Sequence, residues 1–328
     1  MIRNKTILIT GGTGSFGKNF VNFLLNKKFF KKIVIFSRDE LKQFEMKRLF
    51  KNNKKLRFFI GDIRDYERLK IAFDGIDYVV HAAALKQVDT GEYNPLEFIK
   101  TNIIGSQNIV QAAYEKNVKK VIALSTDKAS SPVNLYGATK LCSDKLFCNS
   151  NNMFGKQNTK YSVVRYGNVM MSRGSVIPLF KSIRNNIFPI TDKKMTRFSI
   201  TMLEALKLVE WSLLNSVGGE IIIPKIKSYR IMDLLKVFSK NPKIKLVGIR
   251  PGEKLHEEMI STNESRNCFE IMDKCILGND SDYHYKEYKK KFKINTFKKN
   301  SYKSNENTFL SISELRKIIQ KEDKKYLS

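Results

Sequence analysis

A chain of 328 residues is long enough for one large domain or two ordinary ones around a substantial core. With 42% hydrophobic and 28% charged residues, wholesale disorder and collagen-like or coiled-coil architectures are excluded. Lys and Arg number 60 against 32 Asp and Glu, a net charge of +28 that would suit nucleic acid, an anionic membrane or an anionic small substrate. The lysines are scattered through a chain rich in Lys, Asn and Ile, so composition accounts for the surplus without a dedicated polyanion site. Cys142, Cys148, Cys268 and Cys275 form no C-x-x-C pair, and His81, His256 and His284 lie far apart, so neither a disulfide framework nor a metal site is expected. No run reaches the roughly 18 apolar residues needed to cross a bilayer, and the apolar stretch within Met1 to Thr10 is too short for a signal peptide. A soluble, cytoplasmic protein is expected, without membrane insertion or a nucleic-acid partner.

From Lys5 to about Arg165, short β-rich runs alternate with helical stretches. Thr6–Ile9, Lys32–Phe36, Arg57–Ile60, Tyr78–Val80 and Val121–Leu124 are continuous apolar runs, as in strands buried on both faces of a parallel sheet. Asn94-Pro95 supplies an N-cap and a proline at the first position of an intervening helix. Tyr161–Arg165 and Glu220–Ile223 read as later strands. The pattern predicts an α/β, doubly wound parallel Rossmann sheet over 1–168, to which a strand near 220–223 returns. Residues 169–328 are expected to form mainly a smaller substrate-binding domain. Tyr283–Ser304 is rich in Lys and aromatics and is read as a solvated surface connection. Leu310–Ile319 reads as a C-terminal helix capped by Ser311, with Glu314 three residues on. His256 is read as structural, at a helix start spanning Lys254 to Glu257.

After the first strand come Gly11, Gly14 and Gly17 at G-x-x-G-x-x-G spacing, with Ser15 and Phe16 opening a helix. Such a turn lets the backbone approach a pyrophosphate at the helix N-terminus. Strand followed by glycine turn followed by helix is the context that makes this pattern specific. About 20 residues on, the second strand ends in Ser37-Arg38-Asp39. A lone acid there would bond a ribose 2′-hydroxyl, whereas an adjoining Arg and Ser can hold a 2′-phosphate, so NADP is the expected cofactor. Asp62 and Ile63, after the third strand, are placed to border the adenine.

Tyr136 and Lys140 stand at i and i+4, hence on one helix face. A cation beside a phenol is expected to lower its pKa toward the working range; Lys140 can also hold a nicotinamide ribose. With the N-terminal glycines, this Y-x-x-x-K following Ala123-Leu124-Ser125-Thr126 resembles the extended short-chain dehydrogenase/reductase superfamily, which leaves epimerase, dehydrogenase, decarboxylase and dehydratase open. Thr126-Asp127-Lys128, followed by Asn134-Leu135-Tyr136-Gly137-Ala138-Thr139-Lys140, resembles the inverting UDP-N-acetylglucosamine 4,6-dehydratases. The likeness runs through Ser37–Gln43, His81–Lys86, Arg165–Val169, Ser172–Ser175, Met195–Phe198, Arg250–Glu257 and Phe309–Leu315. Departures are Asp89 in place of Pro, Met170-Met171 in place of smaller residues, and Ser199 in place of an aromatic.

That resemblance implies a lyase of homo-oligomeric form acting on UDP-N-acetylglucosamine. Tyr136 would take the 4-hydroxyl proton, Lys128 as a neutral amine the C5 proton, and Asp127 would help the 6-hydroxyl depart, with Thr126 bonding the 4-oxygen. Lys42, Gln43, Ala82, Lys86, Thr101 and Asn102 map to the cofactor, Lys86 also facing the sugar. Asn168, Arg173, Arg197, Arg250 and Glu253 map to the UDP-sugar. The product would enter pseudaminic acid or related deoxy-amino sugar synthesis. Rival readings are a 4-epimerase or C5-retaining dehydratase on the same scaffold, and a catalytically silent NADP-binding regulator or basic nucleic-acid-binding protein.

Overall fold

The computed structural model describes residues 4–154, 158–172, 174–278 and 281–323. Its main sheet contains β1 (Lys5–Thr10), β2 (Phe30–Ser37), β3 (Leu56–Ile60), β4 (Tyr78–His81), β5 (Lys120–Thr126), β6 (Lys160–Tyr166), β7 (Glu220–Pro224), β8 (Cys268–Ile271), β9 (Lys274–Gly278) and β10 (Ile294–Thr296). Their spatial order is β10-β8-β9-β7-β6-β5-β4-β1-β2-β3. β1 to β7 run parallel, and β9, β8 and β10 extend the sheet antiparallel beyond β7. The fold is thus the expected Rossmann-like α/β sheet. Chain order reverses at β1, between β2 and β4, which opens a crevice at the C-terminal strand ends.

The apolar runs form strands because alternate side chains enter different cores. Ile7, Leu8 and Ile9 are all fully buried; Leu8 joins the cluster on one face of the sheet, while Ile7 and Ile9 join the other. A third cluster, from Met170, Phe180, Phe188, Tyr229, Leu234, Leu315 and Ile319, holds the C-terminal part together. β7 occupies the place expected of the returning strand. The helix after Asn94-Pro95 runs α-helical over Pro95–Phe98, π-helical over Ile99–Ile104 and α-helical again over Gly105–Glu115. The Ser311 cap is present, Glu314 N donating to Ser311 Oγ at 3.2 Å and Ser311 N to Glu314 Oε2 at 2.8 Å.

Two expectations are corrected. Tyr283–Ser304 is not merely a solvated connection: the helix Ser281–Lys289 and β10 fall in it. Tyr288 is buried, stacked on Trp211 and donating to Glu220 Oε1 at 3.0 Å, and Phe297 and Tyr302 are buried too. The aromatics drive the packing while most of the lysines around them remain at the surface. Residues 254–257 do not start a helix. His256 forms a bridge to Thr196 and its Nδ1 lies 2.8 Å from Thr196 Oγ1, because the segment pairs with the strand Thr196–Phe198 instead of with itself. No helix among the described residues is long and apolar enough to cross a membrane.

Candidate active site

The parallel strands deliver their C-terminal residues to one edge of the sheet. After β1, Gly11 has φ +63°, and a Cβ there would stand 2.8 Å from the Ala83 backbone. Gly14 N donates to Gly11 O at 3.0 Å, closing the turn. A side chain at Gly17 would collide with the Gly12 backbone, so this glycine sets how closely helix α1 (Ser15–Lys27) packs on the turn. Gly14 caps α1 with no side-chain bond, and no acid stands in its first turn. The amides of the Ser15-Phe16 turn and the positive helix end therefore face the crevice without a built-in counter-anion, which fits a dinucleotide pyrophosphate.

At the β2 end, Asp39 caps the next helix, accepting from Lys42 N at 2.9 Å and pairing with Lys42 Nζ at 2.6 Å. Those Lys42 contacts hold its carboxyl below the usual range. Gln43 lies buried, its Nε2 donating to Ser37 O, Ser37 Oγ and Phe59 O, each at 3.0 Å. Gln43 thus fixes Ser37 and the neighbouring strand, and Arg38 is left 57% exposed, 3.5 Å from Asp62 Oδ2. Arg64 grips the same Asp62 oxygen at 2.8 Å. The Ile63 side chain is buried in the core, where it would meet any Cβ placed at Gly105.

Asn102, on the π-helical turn, ties down the loop after β4. Its Nδ2 donates to Leu85 O at 2.9 Å and Thr139 Oγ1 at 3.0 Å, and its Oδ1 accepts from Leu85 N at 2.9 Å. That loop carries Ala82 and Lys86 to the crevice. Thr101 Oγ1 is buried with no partner among the described residues. Lys86's ammonium is pulled below the ordinary lysine range by burial and by Lys128.

Thr126-Asp127-Lys128 sits where β5 ends and a 3-10 turn begins. Asp127 is fully buried, and its Oδ1 accepts from Thr126 Oγ1 and from Lys128 Nζ, both at 3.0 Å. Lys128 Nζ also lies 3.2 Å from Glu257 Oε1 and 3.4 Å from Asn168 Oδ1. Burial opposes the lysine's charge, but Asp127 and Glu257 outweigh it and raise its pKa above the ordinary value. Two carboxylates favour the ammonium, so the neutral amine expected of a base has to be created by passing its proton to a neighbouring group. Burial, together with Glu257, raises the Asp127 pKa against the pull of Lys128.

Tyr136 and Lys140 share one face of α2 (Leu135–Met153), whose N-cap Asn134 accepts from Gly137 N at 2.7 Å. The expected lowering of the phenol pKa is also corrected. Burial pushes it up to about 12, opposed chiefly by Lys128 and a Thr126 hydrogen bond. Lys140 is buried and spends one donor on Leu124 O at 2.7 Å; burial lowers its pKa against the pull of Asp144.

On the far wall, Arg197 lies 3.4 Å from Glu253 Oε1 and 3.6 Å from Glu257 Oε1. Arg250 pairs with Asp89 at 3.2 Å and Glu253 at 3.9 Å. A continuous run of alternating charge therefore joins Asp127, Lys128, Glu257, Arg197, Glu253, Arg250 and Asp89. Arg173 lies outside the described residues. Glu257 and Tyr229 escaped the sequence reading; burial pushes the Tyr229 pKa up to about 12, with Arg197 and Lys128 opposing. Glu257 was visible only as part of a stretch assigned to a helix start, and nothing local to Tyr229 marked it.

Residues 7–278 match the family described as Polysaccharide biosynthesis protein. The chain is 54% identical to a Campylobacter jejuni subsp. jejuni serotype O:23/36 protein named UDP-N-acetylglucosamine 4,6-dehydratase (inverting), over 83% of this chain and 82% of that one. It is 40% identical to a Rickettsia bellii protein named UDP-glucose 4-epimerase, over 97% and 96% of the two chains. A solved structure described as Pen from Bacillus thuringiensis superposes with a TM-score of 0.90, at 38% identity and 98% coverage of both chains. The chain belongs to this polysaccharide-biosynthesis family of short-chain dehydrogenase/reductase type, which includes the inverting UDP-N-acetylglucosamine 4,6-dehydratases.

Proposed function

We propose that this protein is an NADP-dependent, C5-inverting UDP-N-acetylglucosamine 4,6-dehydratase, a hydro-lyase. The observation that carries the reading is the pair of buried Asp127 and partly buried Lys128, 3.0 Å apart at the end of β5 and beside Tyr136. A 4-epimerase needs no acid and base at C5 and C6, whereas elimination of water needs both. When bound, the nicotinamide supplies reversible two-electron oxidation, accepting hydrogen from C4 and giving it back at C6. Arg38, exposed beside an Asp39 already used as a helix cap, supports a 2′-phosphate over a bare ribose.

Tyr136 would receive the 4-hydroxyl proton as phenolate, a form that a bound cationic nicotinamide and Lys128 would favour, with Thr126 bonding the 4-oxygen and Lys140 holding the ribose. Transfer of the Lys128 proton to Asp127 creates the neutral amine and the carboxylic acid in a single move. Lys128 then takes the C5 proton while Asp127 protonates the departing 6-hydroxyl. Two protons leave the sugar, from O4 and C5; one completes the water and one returns to C5 from the opposite face. Asn168, Arg173, Arg197, Arg250 and Glu253 are assigned to the UDP-sugar, the arginines matching diphosphate oxygens.

The enzyme is read as cytoplasmic and homo-oligomeric, feeding pseudaminic acid or related deoxy-amino sugars. The decisive experiment is mass spectrometry of the product from UDP-N-acetylglucosamine, with NMR of C5 and C6 in deuterated water. Loss of one water, with deuterium at C5 and an inverted configuration there, is expected. A product that keeps its 6-hydroxyl establishes the 4-epimerase reading, which the Rickettsia relative's name favours; loss of water with C5 unchanged establishes a retaining dehydratase.

A further inference from the structure

Lys128 Nζ touches one carboxylate from its own turn, Asp127, and one from the distant Glu257 segment. Glu257 is held firmly. Its N donates to Ser304 Oγ at 2.9 Å, its O accepts from Ser304 N at 2.8 Å, and its Oε1 also lies 3.6 Å from Arg197 Nε. Its Oε2, like Asp127 Oδ2, is buried with no hydrogen-bond partner among the described residues. Burying an incompletely satisfied carboxylate is costly, so two of them around one lysine point to a use beyond packing.

We propose that Glu257 is a positioning residue of the acid–base centre, its carboxylate fixing the Lys128 amine against Asp127 and setting the pH range in which the Asp127–Lys128 pair carries its single working proton. This deepens the dehydratase reading and rests on it for the chemistry. The two carboxylates are not equivalent. Glu257 faces Lys128, Arg197 and Lys254, three cations that keep it ionised. Asp127 feels chiefly Lys128 among the cations, with Lys254 as well, while burial and Glu257 raise its proton affinity, so Asp127 is the one that accepts the proton. Lys128 is in turn faced by Asp127, Glu257 and Arg197, and its charge is felt at Lys86, Lys254, Tyr136 and Tyr229. Removing the Glu257 charge makes Lys128 lose its proton at lower pH. It also makes Asp127 harder to protonate, so both limbs of the profile move toward acid.

The test is Glu257→Gln, with Glu257→Asp as the charge-preserving variant. For Glu257→Gln the bell-shaped pH profile of water elimination should move toward acid as a whole, by about one pH unit or more, with the UDP-sugar KM changed less than about twofold. Glu257→Asp should keep the wild-type profile. A folded Glu257→Gln enzyme with an unmoved profile overturns the proposal. A second measurement needs no turnover: the Lys128 side-chain titration in the wild type and in Glu257→Gln, read by NMR of carbon-13-labelled lysine and assigned with Lys128→Ala. A Lys128 titration that falls by about one pH unit or more in Glu257→Gln agrees; one that does not move overturns the proposal. Failure of the wild type to release water from UDP-N-acetylglucosamine removes the dehydratase reading, while this titration still decides the role of Glu257.

Discussion

The two ends of the crevice hold their charges differently. At the β2 and β3 ends, Asp39 pairs with Lys42 three residues on, and Asp62 with Arg64 two residues on, all partly open to solvent. At the β5 end, the adjacent Asp127 and Lys128 meet Glu257 and Arg197 from two distant segments, and all four are largely withdrawn from water. Exposed pairs add little stability, and here Asp39 serves as a helix cap. Buried ones require mutual neutralisation, and they strengthen each other's influence on proton affinity. Acid–base chemistry belongs at the second kind of place.

Breaking the buried end should cost most. Lys128→Ala is expected to reduce water release by about 10³-fold while cofactor binding persists, measured by product mass spectrometry and cofactor titration. Beneath that centre, Arg165 is fully buried between Asp144 at 3.2 Å and Glu264 at 2.9 Å. Arg165→Ala should destabilise the fold by about 3 kcal/mol or more in urea denaturation, because it strands two carboxylates. A pH-dependent effect concerns His81, buried with Nδ1 2.8 Å from Thr10 Oγ1 and its pKa pushed down to about 3, chiefly by burial. The folded state resists protonation that the unfolded chain accepts below about 6.5. Its stabilising contribution is thus complete above that pH and declines by about 1.4 kcal/mol per unit as pH falls toward about 3. His81→Gln should flatten this part of the urea midpoint plotted against pH.

Changes at the exposed end sharpen the contrast. Arg38→Ala should lower the preference for NADP over NAD by about tenfold, read from competitive cofactor titration. Asp39→Asn, which keeps a cap acceptor, should barely move the melting temperature. A large loss from Asp39→Asn would erase the distinction between the two ends.

The departures from the family pattern also depend on where they sit. Ser199, in place of an aromatic, and Met170, in place of a smaller residue, are both buried, with Ser199 Oγ 3.0 Å from Met170 Sδ. Asp89 instead faces Arg250 at the exposed rim, so its substitution adds charge where the UDP-sugar is proposed to enter.

Sequence by itself determined the parallel strands, the glycine turn, the Ser311–Glu314 cap and the proximity of Asp127, Lys128, Tyr136 and Lys140. Each of these depends on neighbours within a few residues or on an apolar run that marks burial. Tertiary structure alone decided that Lys128 is an ammonium between two carboxylates, that the Tyr136 phenol is raised and not lowered, and that β8 to β10 extend the sheet. Proton affinities and edge pairings are set by groups brought from distant parts of the chain into a poorly solvated space, and local spacing carries no record of those encounters.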